Sequence, residues 1–248
     1  MGPRTAPHPV LKRHYAGERD RRLFVTALFD ESARYYDRVE AFLALGSGAH
    51  YRRWTLERAG LRPGMAVLDV GTGTGQMARE AVRLVGASGT VVGVDPSRGM
   101  LAEARKAGTG PLVQGIGEEL PFAAARFDFV SMGFALRHVS DLGATFVEYR
   151  RVLKPGGRVL LLEITRPGSG LGRWLAGLYL HTVLPLLLRI TSGSGQPARL
   201  LRYYWDTIDE CVPPVTVLEV LRASGFEGVE RRTWGGFMSE YVGTKPAR

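Results

Sequence analysis

Residues Asp69 to Gly75 combine a carboxylate with three glycines and two threonines, and such a segment after a strand is typical of nucleotide binding. An apolar run ends at Val70, and apolar residues with helical spacing follow at 78–85. Because glycine has no Cβ, the backbone of the intervening loop can approach a ligand closely. The segment predicts a ligand-cradling loop made of Asp69, Gly71, Thr72, Gly73, Thr74 and Gly75.

A second acid, Asp95, ends the next apolar run about 20 residues after the loop, where a carboxylate can accept hydrogen bonds from both hydroxyls of a ribose. The alternative is that Asp95 caps a helix that begins near Pro96. Dinucleotide enzymes use a similar glycine turn, but their G-x-G-x-x-G spacing is not matched between Gly71 and Met77. The spacing favours the adenosine site of a methyltransferase that uses S-adenosylmethionine.

The segment after the third apolar run, 114–122, is expected to lie against the adenine, with Leu120, Pro121 and Phe122 as apolar surface. Asp69 is expected either to order the glycine loop or to meet the amino group of the methionine moiety. The remaining residues predicted to contact this cofactor are Pro96, Ile116, Gly117 and Gly133.

Short apolar runs alternate with segments of helical spacing, which predicts parallel strands joined by crossover helices. The predicted strands are 65–70, 90–95, 111–114, 127–133 and 158–164, followed by a closing hairpin at 226–233 and 236–244. The predicted helices are 78–85, 100–106, 142–153 and 213–224. The expected fold class is α/β, a doubly wound Rossmann-like sheet that is mostly parallel with an antiparallel C-terminal strand, in one domain over residues 25–248.

The composition, 45% apolar and 23% charged over 248 residues, argues against a disordered chain and against a multi-span membrane protein. The net charge of +9 favours polyanions, either nucleic acid or an anionic membrane surface. Because no motif or module of nucleic-acid methyltransferases is present, a nucleic-acid partner is not expected. Cys211 is the one cysteine, so no internal disulfide and no metal site is predicted, and we expect a cytoplasmic protein.

Two further segments have open interpretations. Residues 1–24 are rich in Pro, Arg and His, which predicts a flexible basic tail or, alternatively, an arm that contacts a membrane. Residues 171–190 are strongly apolar but interrupted by Arg173, His181, Pro185 and Arg189. This second segment, part of an insert at about 168–210, is expected to be a lid over a lipophilic substrate or the face of a homodimer rather than a spanning helix.

Several motifs together resemble those of the ubiquinone/menaquinone C-methyltransferases over residues 29–245. The N-terminal part of the resemblance consists of Tyr35-Tyr36-Asp37, Gly48, His50, Arg52 or Arg53, and Trp54. The central part consists of the glycine loop, Glu119-Leu-Pro-Phe122, Gly133-Phe-Ala-Leu-Arg-His-Val139, Arg151-Val-Leu-Lys-Pro-Gly-Gly157 and Leu162-Glu-Ile-Thr-Arg-Pro167. The glycine loop is common to many methyltransferases, whereas the N-terminal motif and the Phe-x-Leu-Arg-x-Val motif are more specific.

The resemblance implies methylation of a ring carbon on a prenylated quinol, such as demethylmenaquinol or a ubiquinol precursor, at the inner face of the membrane. A quinol carbon becomes nucleophilic when a ring hydroxyl loses its proton, so the site should hold a base or an anion-stabilising group. Arg137 is the candidate for stabilising the phenolate, and Tyr36 and His138 are the candidates for relaying the proton. Arg137 could alternatively form an ion pair, Tyr36 could pack in the N-terminal helical cap at about 25–60, and His138 could be structural.

The chain departs from the family pattern at His138, where asparagine is common, at Ile116, and at Tyr241. The changes at His138 and Tyr241 fall on the expected substrate side, so two other functions stay open. One is methylation of another lipophilic acceptor, such as a polyketide, a terpenoid or a phospholipid amine. The other is a non-catalytic, partner-binding protein on a methyltransferase fold.

Overall fold

Seven strands form one sheet in the order β3-β2-β1-β4-β5-β7-β6. The computed structural model describes residues 5–43, 46–186 and 196–247. The strands are β1 Ala66–Val70, β2 Thr90–Asp95, β3 Leu112–Gln114, β4 Phe127–Gly133, β5 Leu153–Ile164, β6 Glu227–Trp234 and β7 Met238–Thr244. The first five pair in parallel, and β7 pairs antiparallel with both β5 and β6. The predicted fold class, including the antiparallel C-terminal strand, is confirmed.

Helices cover both faces of the sheet and its carboxyl edge. They are α1 Glu18–Leu43, α2 Gly48–Arg58, α3 Gln76–Val85, α4 Arg98–Lys106, α5 Leu142–Val152, α6 Gly170–Leu178, α7 Gln196–Asp209 and α8 Pro214–Ala223. The strands are apolar on both faces because one side packs on α5 and α8 and the other on α2 and α3. Since the strands run parallel, their carboxyl ends meet at one edge, and the loops there can form a ligand site.

Strand β5 begins at Leu153, earlier than the predicted start at Arg158. Leu153 pairs with Phe127, and the register then shifts before Phe129 pairs with Arg158. Residues 154–157, which include Gly156 and Gly157, belonged to neither the predicted helix nor the predicted strand. The strand accommodates them as an irregularity because Gly156 has a positive φ of 77°.

The expectation of a flexible tail over residues 1–24 is wrong for residues 5–24, and residues 1–4 lie outside the described part. His8, Leu11 and Tyr15 are buried. The carbonyl oxygen of Thr5 accepts a hydrogen bond from the backbone of α5, and the carbonyl oxygen of Pro7 accepts one from the segment before α8. Arg21, also buried, donates to His8 Nε2 at 2.8 Å. Proline and basic residues favour a tail by composition, but burial of the few apolar residues and the imidazole orders this segment.

The described part of the apolar insert, residues 170–186 and 196–209, is helical, and residues 187–195 lie outside the described part. Helix α6 continues into a π-helical turn at Tyr179–Val183, and α7 follows after residues that the structure does not describe. Leu180 and Leu184 pack with α1 and α7, whereas α6 itself has no buried residue. Among the described residues, no helix is both long enough and apolar enough to cross a membrane.

The stability of the ordered N-terminal segment should depend on pH. Burial and the Arg21 guanidinium lower the pKa of His8 from 6.5 to about 4, so the folded protein holds this imidazole neutral. The unfolded chain binds a proton on this histidine more readily than the folded protein does. The stability that His8 contributes is therefore complete above the unfolded pKa of 6.5, and it is lost as the pH falls from there through the folded pKa. Relative to His8→Gln, the free energy of unfolding of the wild-type protein should fall by about 2–3 kcal/mol between pH 7 and pH 4.5. Urea unfolding of both proteins at both pH values measures this, and a difference that does not change with pH contradicts it.

Candidate active site

The glycine loop follows β1 and turns sharply because Gly71, Gly73 and Gly75 have positive φ angles of 65°, 55° and 83°. Asp69, which is fully buried, accepts hydrogen bonds from Thr72 Oγ1 and from Ser131 Oγ, both at 2.7 Å. Asp69 therefore ties the loop to β4. It orders the loop, as one of the two sequence interpretations expected.

A cavity of about 580 Å³ opens beside this loop, and we call it the glycine-loop cavity. Of the predicted cofactor residues, those that line it are Gly71, Gly73, Asp95, Pro96, Ile116, Gly117 and Gly133. Asp69, Thr72, Thr74 and Gly75 do not line it. Thr74 instead donates to Asp37 Oδ1 on α1 at 2.5 Å. The lining residues absent from the predicted set include Val70, Ser97, Met100, Gly115, Glu118, Phe134 and Ala135. Met100 could have been found, because it lies one turn into the helix that follows Asp95.

Asp95 lies at the carboxyl end of β2 and lines the glycine-loop cavity. Its two oxygens accept hydrogen bonds from the backbone amides of Gly73 and Ser97, each at 2.9 Å. The alternative that Asp95 caps the following helix is wrong, because Ser97 Oγ accepts the hydrogen bond from Met100 and caps α4. Burial raises the pKa of Asp95 from 3.8 to about 6. The carboxylate is therefore costly to ionise until hydrogen-bond donors surround it.

A second cavity of about 970 Å³ adjoins the glycine-loop cavity, and we call it the apolar cavity. Its walls come from α1, α2, α6, α7, the end of β5 and the β6–β7 turn. Most of the lining side chains are aliphatic or aromatic, and they include Val39, Leu43, Tyr51, Ile164, Tyr179, Leu180, Tyr204, Ile208, Trp234 and Phe237. Its charged lining side chains, among the described residues, are Glu40, Arg52 and Arg137. The cavity suits a large, mainly apolar ligand with one polar end.

Tyr36 and Phe134 line both cavities. Phe134 follows the end of β4 and has a φ of 60°, a conformation that is costly for an aromatic residue. Its backbone is held there because its amide donates to Leu162 and its carbonyl accepts from Arg137 Nη1. Tyr36, on α1, has a raised pKa because burial disfavours its phenolate, so it keeps its proton. A group carried in one cavity and an acceptor in the other would meet between these two rings.

Arg137 is buried and forms an ion pair with Glu163 on β5. Its Nε donates to Thr207 Oγ1 on α7 at 3.2 Å, and its guanidinium carbon lies 5.0 Å from the ring centroid of Tyr204. The ion pair that sequence left as an alternative for Arg137 is therefore present. Because Glu163 compensates the charge, Arg137 is less available to an acceptor than the sequence interpretation assumed.

His138 lines the glycine-loop cavity and is not among the described residues that line the apolar cavity. Its Nδ1 lies 3.1 Å from Tyr203 Oη, and its buried Nε2 has no hydrogen-bond partner among the residues that the structure describes. Burial, helped by the Arg137 charge, lowers the pKa of His138 well below 6.5, so the imidazole is neutral. His138 therefore shares the glycine-loop cavity with Tyr36, whereas only Tyr36 also lines the apolar cavity.

Binding of S-adenosylmethionine should depend on Asp95 and on its ionisation. In Asp95→Ala the dissociation constant should rise at least 100-fold, because two hydrogen bonds to a charged acceptor contribute about 3–6 kcal/mol. In the wild-type protein, affinity should fall as the pH drops below the Asp95 pKa of about 6, because the neutral acid accepts hydrogen bonds poorly. Calorimetric titration between pH 5 and pH 8 measures both effects. Asp128→Asn, at the amino end of β4, is the control, and equal affinity in Asp95→Ala and Asp128→Asn would refute the ribose assignment.

The sequence of the chain matches a known family. The model of the ubiE/COQ5 methyltransferase family matches residues 15–245. A ubiquinone/menaquinone biosynthesis C-methyltransferase from Pseudomonas paraeruginosa is 33% identical over 230 residues, which cover 90% of this chain and 89% of that protein. The enzyme of the same name from Shewanella halifaxensis is 33% identical over 212 residues, which cover 83% of each.

Solved structures share the fold at lower identity. A phosphoethanolamine N-methyltransferase from Haemonchus contortus, in complex with phosphomonomethylethanolamine and S-adenosylhomocysteine, is similar with a TM-score of 0.66 at 18% identity, over 94% of this chain and 61% of that chain. A methyltransferase from Thermotoga maritima has a TM-score of 0.61 at 22% identity, over 89% of this chain and 99% of that chain. From the sequence matches, the chain belongs to the ubiE/COQ5 methyltransferase family and is a methyltransferase that uses S-adenosylmethionine.

Proposed function

We propose that this methyltransferase methylates a ring carbon of a prenylated quinol, such as demethylmenaquinol or a ubiquinol precursor. The observation that carries the proposal is the apolar cavity of about 970 Å³, which adjoins the glycine-loop cavity at Tyr36 and Phe134. A quinol head with part of an isoprenoid tail has the size and polarity that this lining favours. The names of the two bacterial relatives, which are ubiquinone/menaquinone biosynthesis C-methyltransferases, support the same acceptor.

The glycine-loop cavity fits S-adenosylmethionine. Asp95 would hold the ribose hydroxyls, Met100 and Ile116 would supply apolar surface for adenine, and Gly71 and Gly133 would admit the methionine end close to the backbone. The bound cofactor would supply an electrophilic methyl group on a positive sulfonium. The apolar lining around Tyr36 and Phe134, where the two cavities adjoin, would exclude water from the transfer.

The reaction needs no covalent link to the enzyme. The ring hydroxyl of the acceptor loses a proton, the neighbouring ring carbon forms a bond to the methyl carbon, and the sulfur–methyl bond breaks to leave S-adenosylhomocysteine. The same ring carbon then loses its hydrogen as a proton, which restores the aromatic ring. Protein groups are needed to hold the developing phenolate and to accept these two protons.

Three residues take roles in this proposal. Tyr36 can donate a hydrogen bond to the ring oxygen, because it keeps its proton and lines both cavities. Arg137 lines the apolar cavity and supports the site mainly through its bonds to Phe134 and Glu163. His138 is neutral and lines the cofactor side, where it can pass the proton of the ring carbon towards solvent.

The surface around the opening of the apolar cavity suits contact with a membrane, from which a prenylated acceptor would come. Trp174 on α6 is 62% exposed, and Trp234 at the end of β6 is 53% exposed and also lines the cavity. Leu171, Leu175 and Leu178 extend the exposed apolar face of α6. Exposed aromatic residues favour the interface between lipid and water, and the net charge of +9 favours anionic headgroups.

Membrane contact at this surface makes a measurable prediction. Replacing both residues, Trp174→Ser and Trp234→Ser, should weaken binding to vesicles of mixed neutral and anionic phospholipid at least tenfold, because two large apolar side chains no longer enter the bilayer interface. Val147→Ser, at an exposed apolar residue of α5, is the matched control. Cosedimentation measures binding. If the double variant binds vesicles like the control and instead loses self-association by gel filtration, the face covers a second copy of the chain.

The acceptor is identified most directly with a labelled cofactor. Incubating the protein with S-[methyl-²H₃]adenosylmethionine and a reduced lipid extract should add three deuterons to a prenylated quinol, on a ring carbon, as read by mass spectrometry. Label found only in a non-quinone lipid would replace the acceptor with a polyketide, a terpenoid or a phospholipid amine. No transfer to any lipid, with cofactor binding intact, would favour a non-catalytic protein.

A further inference from the structure

The apolar cavity holds one ion pair that the family resemblance did not single out as catalytic. Glu40 on α1 and Arg52 on α2 both line the cavity, and Arg52 Nη2 donates to Glu40 Oε1 at 2.7 Å. Arg52 is 6% exposed in its side chain and Glu40 is 21% exposed. The two side chains are therefore held together from two different helices, and the Glu40 carboxylate is the more exposed of the two.

Glu40 is the one carboxylate, among the described residues, that lines the apolar cavity. Its Oε1 accepts from Arg52, and no described residue donates to its Oε2. Glu163 is not an equivalent choice, because its Oε1 already accepts hydrogen bonds from Arg137 and from the Ile164 amide. A free carboxylate oxygen beside an apolar ligand can accept a proton from a ring hydroxyl.

Of the two guanidinium groups that line the apolar cavity, that of Arg52 makes fewer hydrogen bonds to described residues than that of Arg137. Arg137 uses Nε and Nη1 for three protein partners, whereas Arg52 has its single hydrogen bond to a described residue through Nη2. The guanidinium carbon of Arg52 lies 5.5 Å from the ring centroid of Phe134, one of the two residues between the cavities. The Arg52–Glu40 pair therefore stands at the end of the apolar cavity where the methyl group must arrive.

We propose that Glu40 is the general base that takes the proton of the acceptor hydroxyl and that Arg52 stabilises the phenolate oxygen formed. The hydroxyl proton moves to Glu40 Oε2 as the ring carbon bonds to the methyl carbon, and Arg52 donates to the ring oxygen through its free nitrogens. Once the ring carbon has lost its own hydrogen as a proton, Glu40 returns the hydroxyl proton to the ring oxygen, so the methylated quinol leaves neutral and one proton is released overall. This inference rests on the proposed methylation of a quinol and adds the groups that activate it.

The experiment compares Glu40→Gln with wild type from pH 6 to pH 9, using a short-chain reduced naphthoquinol and following kcat, KM and cofactor affinity. The amide cannot take a proton, so kcat should fall about 100-fold near neutral pH. The deficit should shrink about tenfold per pH unit as the acceptor ionises in solution, because a phenolic hydroxyl has a pKa of about 10. Affinity for S-adenosylmethionine should stay within twofold.

Two further variants separate catalysis from structure. Arg52→Lys keeps the charge but loses the planar fork, so it should lower kcat by about tenfold and keep the wild-type pH dependence. Glu57→Gln removes the exposed Arg53–Glu57 pair on the same helix and should leave kcat unchanged. A Glu40→Gln deficit that is equal at every pH, or one confined to KM, overturns the role of Glu40 as a base. Failure of the wild-type enzyme to methylate any quinol overturns the proposed function as well.

Discussion

The buried ion pair between Arg137 and Glu163 is the interaction on which the arrangement of the site depends. Glu163 belongs to β5, and Arg137 belongs to the turn that follows β4. Through Arg137 this pair is joined to Thr207 on α7, to the carbonyl oxygen of Phe134, and, at its own carbonyl, to Arg21 on α1. The sheet, the insert and the N-terminal helix are therefore all bonded to Arg137, the first two through its guanidinium and the helix through its backbone carbonyl.

A buried pair of this kind is poor evidence of net stabilisation, because removing two charges from water costs about as much as their attraction returns. Its effect here is positional. Glu163 lies at the end of β5 and fixes Arg137, and Arg137 holds Phe134 at a positive φ. Breaking one partner would leave the other charge buried and would release the ring that lies between the two cavities. This is why a substitution of Arg137 would disturb geometry whether or not it touches an acceptor.

The division between the cavities follows from this constraint. One cavity is built on backbone and small residues of the glycine loop, so that a polar ligand can come close to main-chain amides. The other is built on side chains of helices that are outside the sheet, so that it is apolar and wide. Tyr36 and Phe134 are the described residues that line both cavities, so in the proposed reaction the electrophile and its acceptor would meet beside them.

The fold and the cofactor side of the site could be predicted from sequence because local rules act there. Strand, glycine turn and Asp95 follow one another within about 30 residues, where spacing alone decides the geometry. The order of the N-terminal segment could not be predicted, because its backbone carbonyls accept hydrogen bonds from α5 and from the segment before α8, which are far along the chain. The Glu40–Arg52 pair joins two helices, and no spacing rule shows which acid of α1 faces a cavity. Sequence left two roles open for Asp69, and its bonds to Thr72 and to Ser131 on another strand, which spacing along the chain cannot show, are those of a residue that orders the loop.

The most direct test is a crystal structure with S-adenosylhomocysteine and a short-chain naphthoquinol bound together. The account predicts the sulfur beside Gly71 and Gly133, the quinol ring in the apolar cavity, and a line between them passing Tyr36 and Phe134. A methyl carbon added to that sulfur should lie about 3–3.5 Å from a ring carbon. A quinol ring bound instead in the outer part of the glycine-loop cavity, near Arg22 and His138, would contradict the account.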